Sequence, residues 1–300
     1  MTSAVLYGAR HHAHRQLFSV CELNDYVHAA HRRNLRGLTA TWQDRAVGTA
    51  SGCQAVSAEE IAGYLDVIDR VRRGWIDRVD VRLGVRIFFA PGNEALWRTQ
   101  VRGAVFDCVV GEIAPAANAA STQPWPYFDR LTQHQAFRRA ADAAETGFFD
   151  CIAFDEILES TCRWHWNLDL IACEAIAAMD RIANTGAAIE IPTASRGLSS
   201  LSAFDAWFLT EMAARQIPIV LNADPQSPWQ VARGFESTLD LLSACGFSHV
   251  SHFIHRQRVD VPLETARSSL QSLESREVWA SPPAFASTPG VPAAVPISRQ

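Results

Sequence analysis

Short apolar runs and amphipathic stretches take turns along almost the whole chain, and this alternation restricts the fold more than any single motif does. Strand-like segments fall near 4–11, 36–41, 82–90, 106–114, 150–154, 187–193 and 217–223. Helical periodicity falls near 24–34, 57–74, 93–102, 127–146, 167–185, 202–216 and 236–245, with Gly186 and Gly246 as C-terminal stops and Ser57 with Glu60 as a capping box. Seven consecutive βα units predict an α/β barrel of parallel strands. The segment His249–Leu263 reads as one further strand. Ala280–Gln300, rich in Pro, Ser and Ala, reads as a disordered tail, so a single barrel domain is expected over residues 1–279.

Composition narrows the chemistry. The 300 residues are 48% hydrophobic, enough to bury one large core. All 27 basic residues are Arg. Without a lysine, a pyridoxal-phosphate Schiff base, a Ser-Lys dyad and a phosphate-loop GK[ST] motif are all excluded. A net charge of −5 and the lack of a basic stripe argue against nucleic acid as a partner. The 7 cysteines are odd in number, scattered and never in a CxxC spacing, which points to free thiols rather than disulfides or structural zinc. No basic start with an apolar run marks a signal peptide, and no segment reaches the ~18 apolar residues of a membrane span. The expectation is a cytoplasmic protein that binds a small molecule and neither membrane nor nucleic acid. Oligomeric state leaves no signal in the sequence.

His12 and His14 close the first apolar segment, and residues two apart on a strand point to one face, so both imidazoles can aim into a barrel interior. At the other end, Ile217-Pro218-Ile219-Val220-Leu221-Asn222-Ala223-Asp224 reads as a buried strand ending in a carboxylate. Closure of a barrel sets the first and last strands side by side, so these three groups are expected to converge.

Five further stretches keep the order and spacing of one known family: Val85 to Gly92, Phe106 to Gly111, Phe149 to Ile152, Ala188 to Ile191, and Ile217 to Pro228 followed by Gly234-Phe235. On these the chain resembles the polymerase and histidinol phosphatase (PHP) family, histidinol-phosphatase type, over roughly residues 4–263. The resemblance implies a distorted (β/α)7 TIM-like barrel, up to three divalent metals at its C-terminal mouth, and phosphoester hydrolysis.

Several positions depart from the family pattern. Its HxH is present as His12 and His14, but the acid expected two residues earlier is Arg10. The acid-His pair after the second strand appears as Ala40 and Thr41, the metal-bridging Glu of the third strand as Arg86, and the histidine near the end of the fourth as Ala114. The Gly-His-x-Asp segment reads Ala153 to Glu156; in the final Asp-x-His, Asp224 stays while the His is Gln226.

By the resemblance, His12, His14 and Asp224 serve one metal, and two His plus a carboxylate suffice for a single Zn, Mn or Fe ion with open positions. Against this stands Arg86, whose permanent cation repels a nearby divalent ion and is able to pair with Asp224 instead. Both readings stand, the metal-free one slightly ahead, and His12, His14, Arg86 and Asp224 are candidate catalytic residues under either.

Tryptophans supply a second constellation. Trp42, Trp125, Trp164, Trp166 and Trp229 each follow a strand-like segment, and loops after barrel strands form the mouth where barrel active sites lie. Such aromatic walls suit a planar, sugar-like or apolar ligand. Arg10, Glu112, Glu156, His165 and Gln226 join them as candidate ligand contacts, His165 as an acid-base group. Glu190, in mid-strand, reads as a buried partner for an arginine. Two function classes follow: a diverged enzyme acting on a small organic, anionic, aromatic or sugar-like metabolite, with ordinary phosphatase activity lost, or a catalytically inactive protein that binds a ligand or partner. The charged and aromatic groups at the vacated positions favour the enzyme.

Overall fold

The computed structural model describes residues 3–7, 18–44, 58–89, 91–102, 104–113, 130–153, 168–193 and 203–270. Seven parallel strands form a closed barrel in sequence order: β1 (Ser3–Tyr7), β2 (Gly37–Asp44), β3 (Asp80–Phe88), β4 (Cys108–Glu112), β5 (Cys151–Ala153), β6 (Ala188–Pro192) and β7 (Ile219–Asn222). Closure is made by β1 beside β7, with Val5 level with Asn222. Around the barrel run helices α1 (Val20–Arg32), α2 (Ala58–Gly74), α3 (Glu94–Val101), α4 (Arg130–Glu145), α5 (Leu168–Ala183), α6 (Ala203–Ala214) and α7 (Phe235–Ala244). This is the expected distorted (β/α)7 barrel.

Strand β3 shows how the sequence divides inside from outside. Val81, Leu83, Val85 and Ile87 are buried in the main hydrophobic core beneath the helices. The alternate positions Arg82, Gly84 and Arg86 turn to the barrel interior. A Cβ on Gly84 would lie 2.7 Å from Thr41 Oγ1 and 2.9 Å from Thr39 Cγ2, so only glycine leaves room for the two threonines that β2 sends inward. On the β4–β7 side the interior is filled by Cys108, Val110, Cys151, Ala153, Ala188 and Val220 with Phe253, a cluster separate from the outer core.

Helix α1 starts at Ser19, which accepts from the Glu22 amide while the Glu22 carboxylate accepts from Ser19, a full capping box. Its buried Leu23, Tyr26, Val27 and Ala30 follow helical spacing onto the barrel. Arg33, 2% exposed, ties its C-terminal end to Glu236 of α7 at 2.5 Å.

The expected last strand is instead a hairpin outside the barrel sheet, β8 (His249–Ile254) antiparallel to β9 (Gln257–Pro262), followed by helix α8 (Leu263–Ser269). Its two-residue turn, His255 and Arg256, has φ of 48° and 63°, the left-handed pair of a type I′ turn. The turn docks on the barrel base. Asp107 accepts from the His255 amide at 3.0 Å and from the Leu83 amide at 2.9 Å. Asp150 accepts from the Val109 amide and from the Arg256 guanidinium, which also donates to the Phe148 carbonyl. Phe253 enters the base and closes it. No helix among the described residues is long and apolar enough to cross a membrane.

Candidate active site at the barrel mouth

Arg86, two residues before the end of β3, is 3% exposed, with its guanidinium inside the barrel. Its Nε lies 3.3 Å from Glu112 Oε2 at the end of β4, and its Nη1 lies 3.5 Å from Glu190 Oε1 on β6. Glu190 thus meets the arginine expected of it. The chain continues onto β7: Asn222 Nδ2 donates to Glu190 Oε1 at 3.0 Å, and Asn222 Oδ1 accepts from the Asp224 amide at 2.8 Å. Four strands are joined through one polar network at the C-terminal end of the barrel, where barrel enzymes place their chemistry.

Each strand delivers its member for a local reason. β3 and β4 are in register at Phe88 and Glu112, so Arg86 and Glu112 both turn inward near one level. Ala153 on β5, level with both Glu112 and Glu190, leaves a methyl-sized gap that the longer side chains fill. Asp224 has φ of 40°, a left-handed conformation that costs a non-glycine residue of order 1 kcal/mol and that the Asn222 side chain offsets by holding the amide. Beside it Thr193 donates to the Arg233 carbonyl at 2.7 Å. Gly234, at φ of 77°, passes so close that a Cβ would lie 2.2 Å from the Thr193 carbonyl oxygen.

Glu190 is wholly buried. Removal from water pushes its carboxyl up to about 8, the Asp224 charge adding to the rise while the Asn222 hydrogen bond opposes it. The Arg86 guanidinium, 3.5 Å away, favours ionisation and works against that rise. Glu112, with 23% of its side chain exposed, is more open than Arg86 or Glu190.

The other expected contacts divide into three groups. Gln226 is exposed, and its amide nitrogen reaches the Asp224 carbonyl at 3.4 Å. Trp229, 45% exposed on a 3-10 turn at Pro228–Gln230, lies with the Arg233 guanidinium 5.9 Å from its ring. Trp42 departs from expectation: β2 runs on to Asp44, so Trp42 lies within the strand and not on a mouth loop. Its indole is 2% exposed in the outer core, edge-on to Phe106 at 5.8 Å. The same extension places Ala40 and Thr41 in mid-strand, and the residue level with Arg86 is Gln43. Arg10, His12, His14, Ala114, Trp125, Glu156, Trp164, His165 and Trp166 lie outside the described residues, as do Ser57 of the expected capping box and the tail from 280. Asn222 and Thr193 were not expected at the site. A polar residue ending the apolar run Ile219-Val220-Leu221 was the available signal for the first.

Among the described residues no group of three or more His, Cys, Asp or Glu side chains is arranged to hold a metal ion.

No protein-family profile matches the chain. Over 206 residues, 66% of this chain and 77% of the relative, it is 27% identical to a "probable histidinol-phosphatase" of Deinococcus radiodurans. The fold superposes on a histidinol phosphate phosphatase of Lactococcus lactis, solved with zinc, L-histidinol and phosphate, with a TM-score of 0.69 and 12% identity over 86% of this chain and 98% of that one. A Listeria monocytogenes structure bearing the histidinol-phosphatase name superposes with a TM-score of 0.58 and 10% identity over 78% of this chain and 98% of that one. At such identities the two solved structures speak to the fold.

Proposed function

Taking as premise a chain that resembles the histidinol-phosphatase type of PHP protein in sequence and shares its barrel, we propose that it is a diverged enzyme of that fold, acting on a small organic metabolite at the barrel mouth. The observation that carries this reading is the buried Arg86 guanidinium between Glu112 and Glu190. A permanent cation in that position repels divalent ions and engages carboxyl groups that such ions would need. The described donor set therefore does not suit the trinuclear centre that the resemblance implies, and no step is routed through one.

The chain's own groups support acid-base work. Arg86 fixes the Glu112 carboxylate at the open side of the network, where it is placed to take a proton from a bound ligand. Burial pushes the carboxyl of Glu190 behind it upward, which disfavours a second negative charge there and leaves Arg86 matched to Glu112. Trp229 and Arg233 at the rim offer a flat apolar face and a cation, which suits a ligand with an aromatic or sugar-like body and a polar or anionic end. The acidic chain speaks for a small molecule rather than nucleic acid.

The sequence likeness favours a second reading, phosphoester hydrolysis with one metal at His12, His14 and Asp224. One experiment separates the two. Purified protein is analysed for bound metal and assayed for phosphate release from L-histidinol phosphate with added Mn or Zn and after chelation. The first reading expects no metal-dependent release; robust release that chelation abolishes overturns it in favour of the second.

A further inference from the structure

A cavity of about 780 Å³ lies at the opposite, N-terminal end of the barrel, between the turn that joins α2 to β3 and the β8–β9 hairpin. Its volume falls in the range of small-molecule sites. Of the four exposed large hydrophobic residues among those described, two, Ile76 and Val259, line this one cavity, so its apolar surface is concentrated rather than scattered.

The polar groups on its wall are unevenly matched. Asp80 is engaged by Arg82 at 2.6 Å, and Asp260 by Ser251 at 2.7 Å and Arg258 at 3.1 Å. Arg36 is exposed at the cavity, and its side chain makes no hydrogen bond or ion pair among the described residues. His252, only 8% exposed, lines the cavity, and its ring likewise makes no hydrogen bond among them. Its ring nitrogens are not among the sealed, unpartnered atoms of the interior, so they stay accessible from the cavity. Of the remaining charges, Arg72 reaches Asp69 and Asp107, and Arg78 stacks over Trp75, leaving Asp77 as the carboxylate on the turn. Four arginines against three aspartates leave the wall with a formal charge of +1.

We propose that this cavity binds a small organic anion, its carboxylate or phosphate group held by Arg36 and the His252 ring N–H, its apolar body against Ile76 and Val259. The imidazole is suited to the role. Burial and the adjacent Arg82 charge push its pKa down to about 4, so at neutral pH it offers one N–H donor without a charge of its own. An anion in the cavity offsets the Arg82 charge and raises that pKa.

The test follows the His252 C2–H signal by NMR, assigned by comparison with His252→Gln, during titration of the full chain with benzoate, phenyl phosphate and the neutral benzyl alcohol. The proposal expects a saturable shift and an upward move of the titration midpoint with at least one of the two anions, and neither with the alcohol. Tighter binding of benzoate assigns the seat to carboxylates; tighter binding of phenyl phosphate assigns it to phosphate esters. Arg36→Ala, at an exposed position, should weaken binding about tenfold, and Val259→Glu, on the exposed face of β9, should abolish the shift. The proposal is overturned by no saturable shift with either anion up to about 10 mM, by an equal response to benzyl alcohol, or by unchanged anion affinity in Arg36→Ala.

Discussion

Arg86 and Glu190 lie 3.5 Å apart inside the barrel, a fixed cation beside a carboxyl that burial pushes up to about 8. The arrangement sets a permanent charge against a titrating one. Its net charge therefore depends on pH near neutrality.

Stability should fall as pH rises through that range. Glu190 ionises near 4.5 in the unfolded chain and near 8 in the fold, so between those values the folded state holds the extra proton. Its contribution is complete below about 4.5 and is lost progressively up to about 8, a span of the order of 5 kcal/mol. Urea melts at successive pH values should show this slope, and Glu190→Gln, which keeps an acceptor for Asn222, should flatten it. An equal slope in the variant would contradict the assignment.

Arg86→Lys should not substitute. The guanidinium meets Glu112 through Nε and Glu190 through Nη1, and a single ammonium cannot span both. A loss of roughly 1–3 kcal/mol in chemical denaturation is expected, together with loss of ligand turnover or binding at the mouth. Wild-type behaviour in both measurements would remove Arg86 from the site.

Gly84→Ala should destabilise by roughly 1–3 kcal/mol, since the new methyl group meets Thr41 and Thr39 at less than van der Waals distance. Combining it with Thr41→Ala should recover part of the loss. Strict additivity of the two changes would show that the interior contact is not the cause.

Arg256→Ala should loosen the base of the barrel by roughly 2–4 kcal/mol, because Asp150, whose carboxyl burial already pushes up, loses the cation that opposes that rise. Hydrogen exchange should quicken at the Val109 amide, which Asp150 holds, while α1 keeps its protection.

Much of the barrel was legible because most of its strands are short apolar runs and β3 alternates Val-Arg-Leu-Gly-Val-Arg-Ile, apolar outward and polar inward. Asp224 was legible as a charge closing an apolar run, Arg86 through the family resemblance, and Glu112 as a candidate ligand contact. The hairpin was not, since the left-handed turn at His255 and Arg256 lacks the Gly or Asn that usually marks one, and Asp107 and Asp150 support it from far along the chain. Trp42 misled for a related reason. Gln43 and Asp44 look like loop residues, but pairing with Arg86 and Ile87 of β3 carries the strand past the tryptophan and turns it into the core. The role of Asn222 depends on a neighbour 32 positions away, which no local pattern reports.

The hairpin that seals the barrel base is made from some of the last residues described, and the amide of His255 binds a carboxylate 148 positions earlier. During synthesis the first strands leave the ribosome well before that partner exists. A nascent chain stopped short of residue 256 therefore lacks the clamp on Asp107 and Asp150, and its half-formed barrel stays open to water and to chaperones. Arrival of the hairpin, rather than formation of any one strand, becomes the event that commits the molecule to its native state.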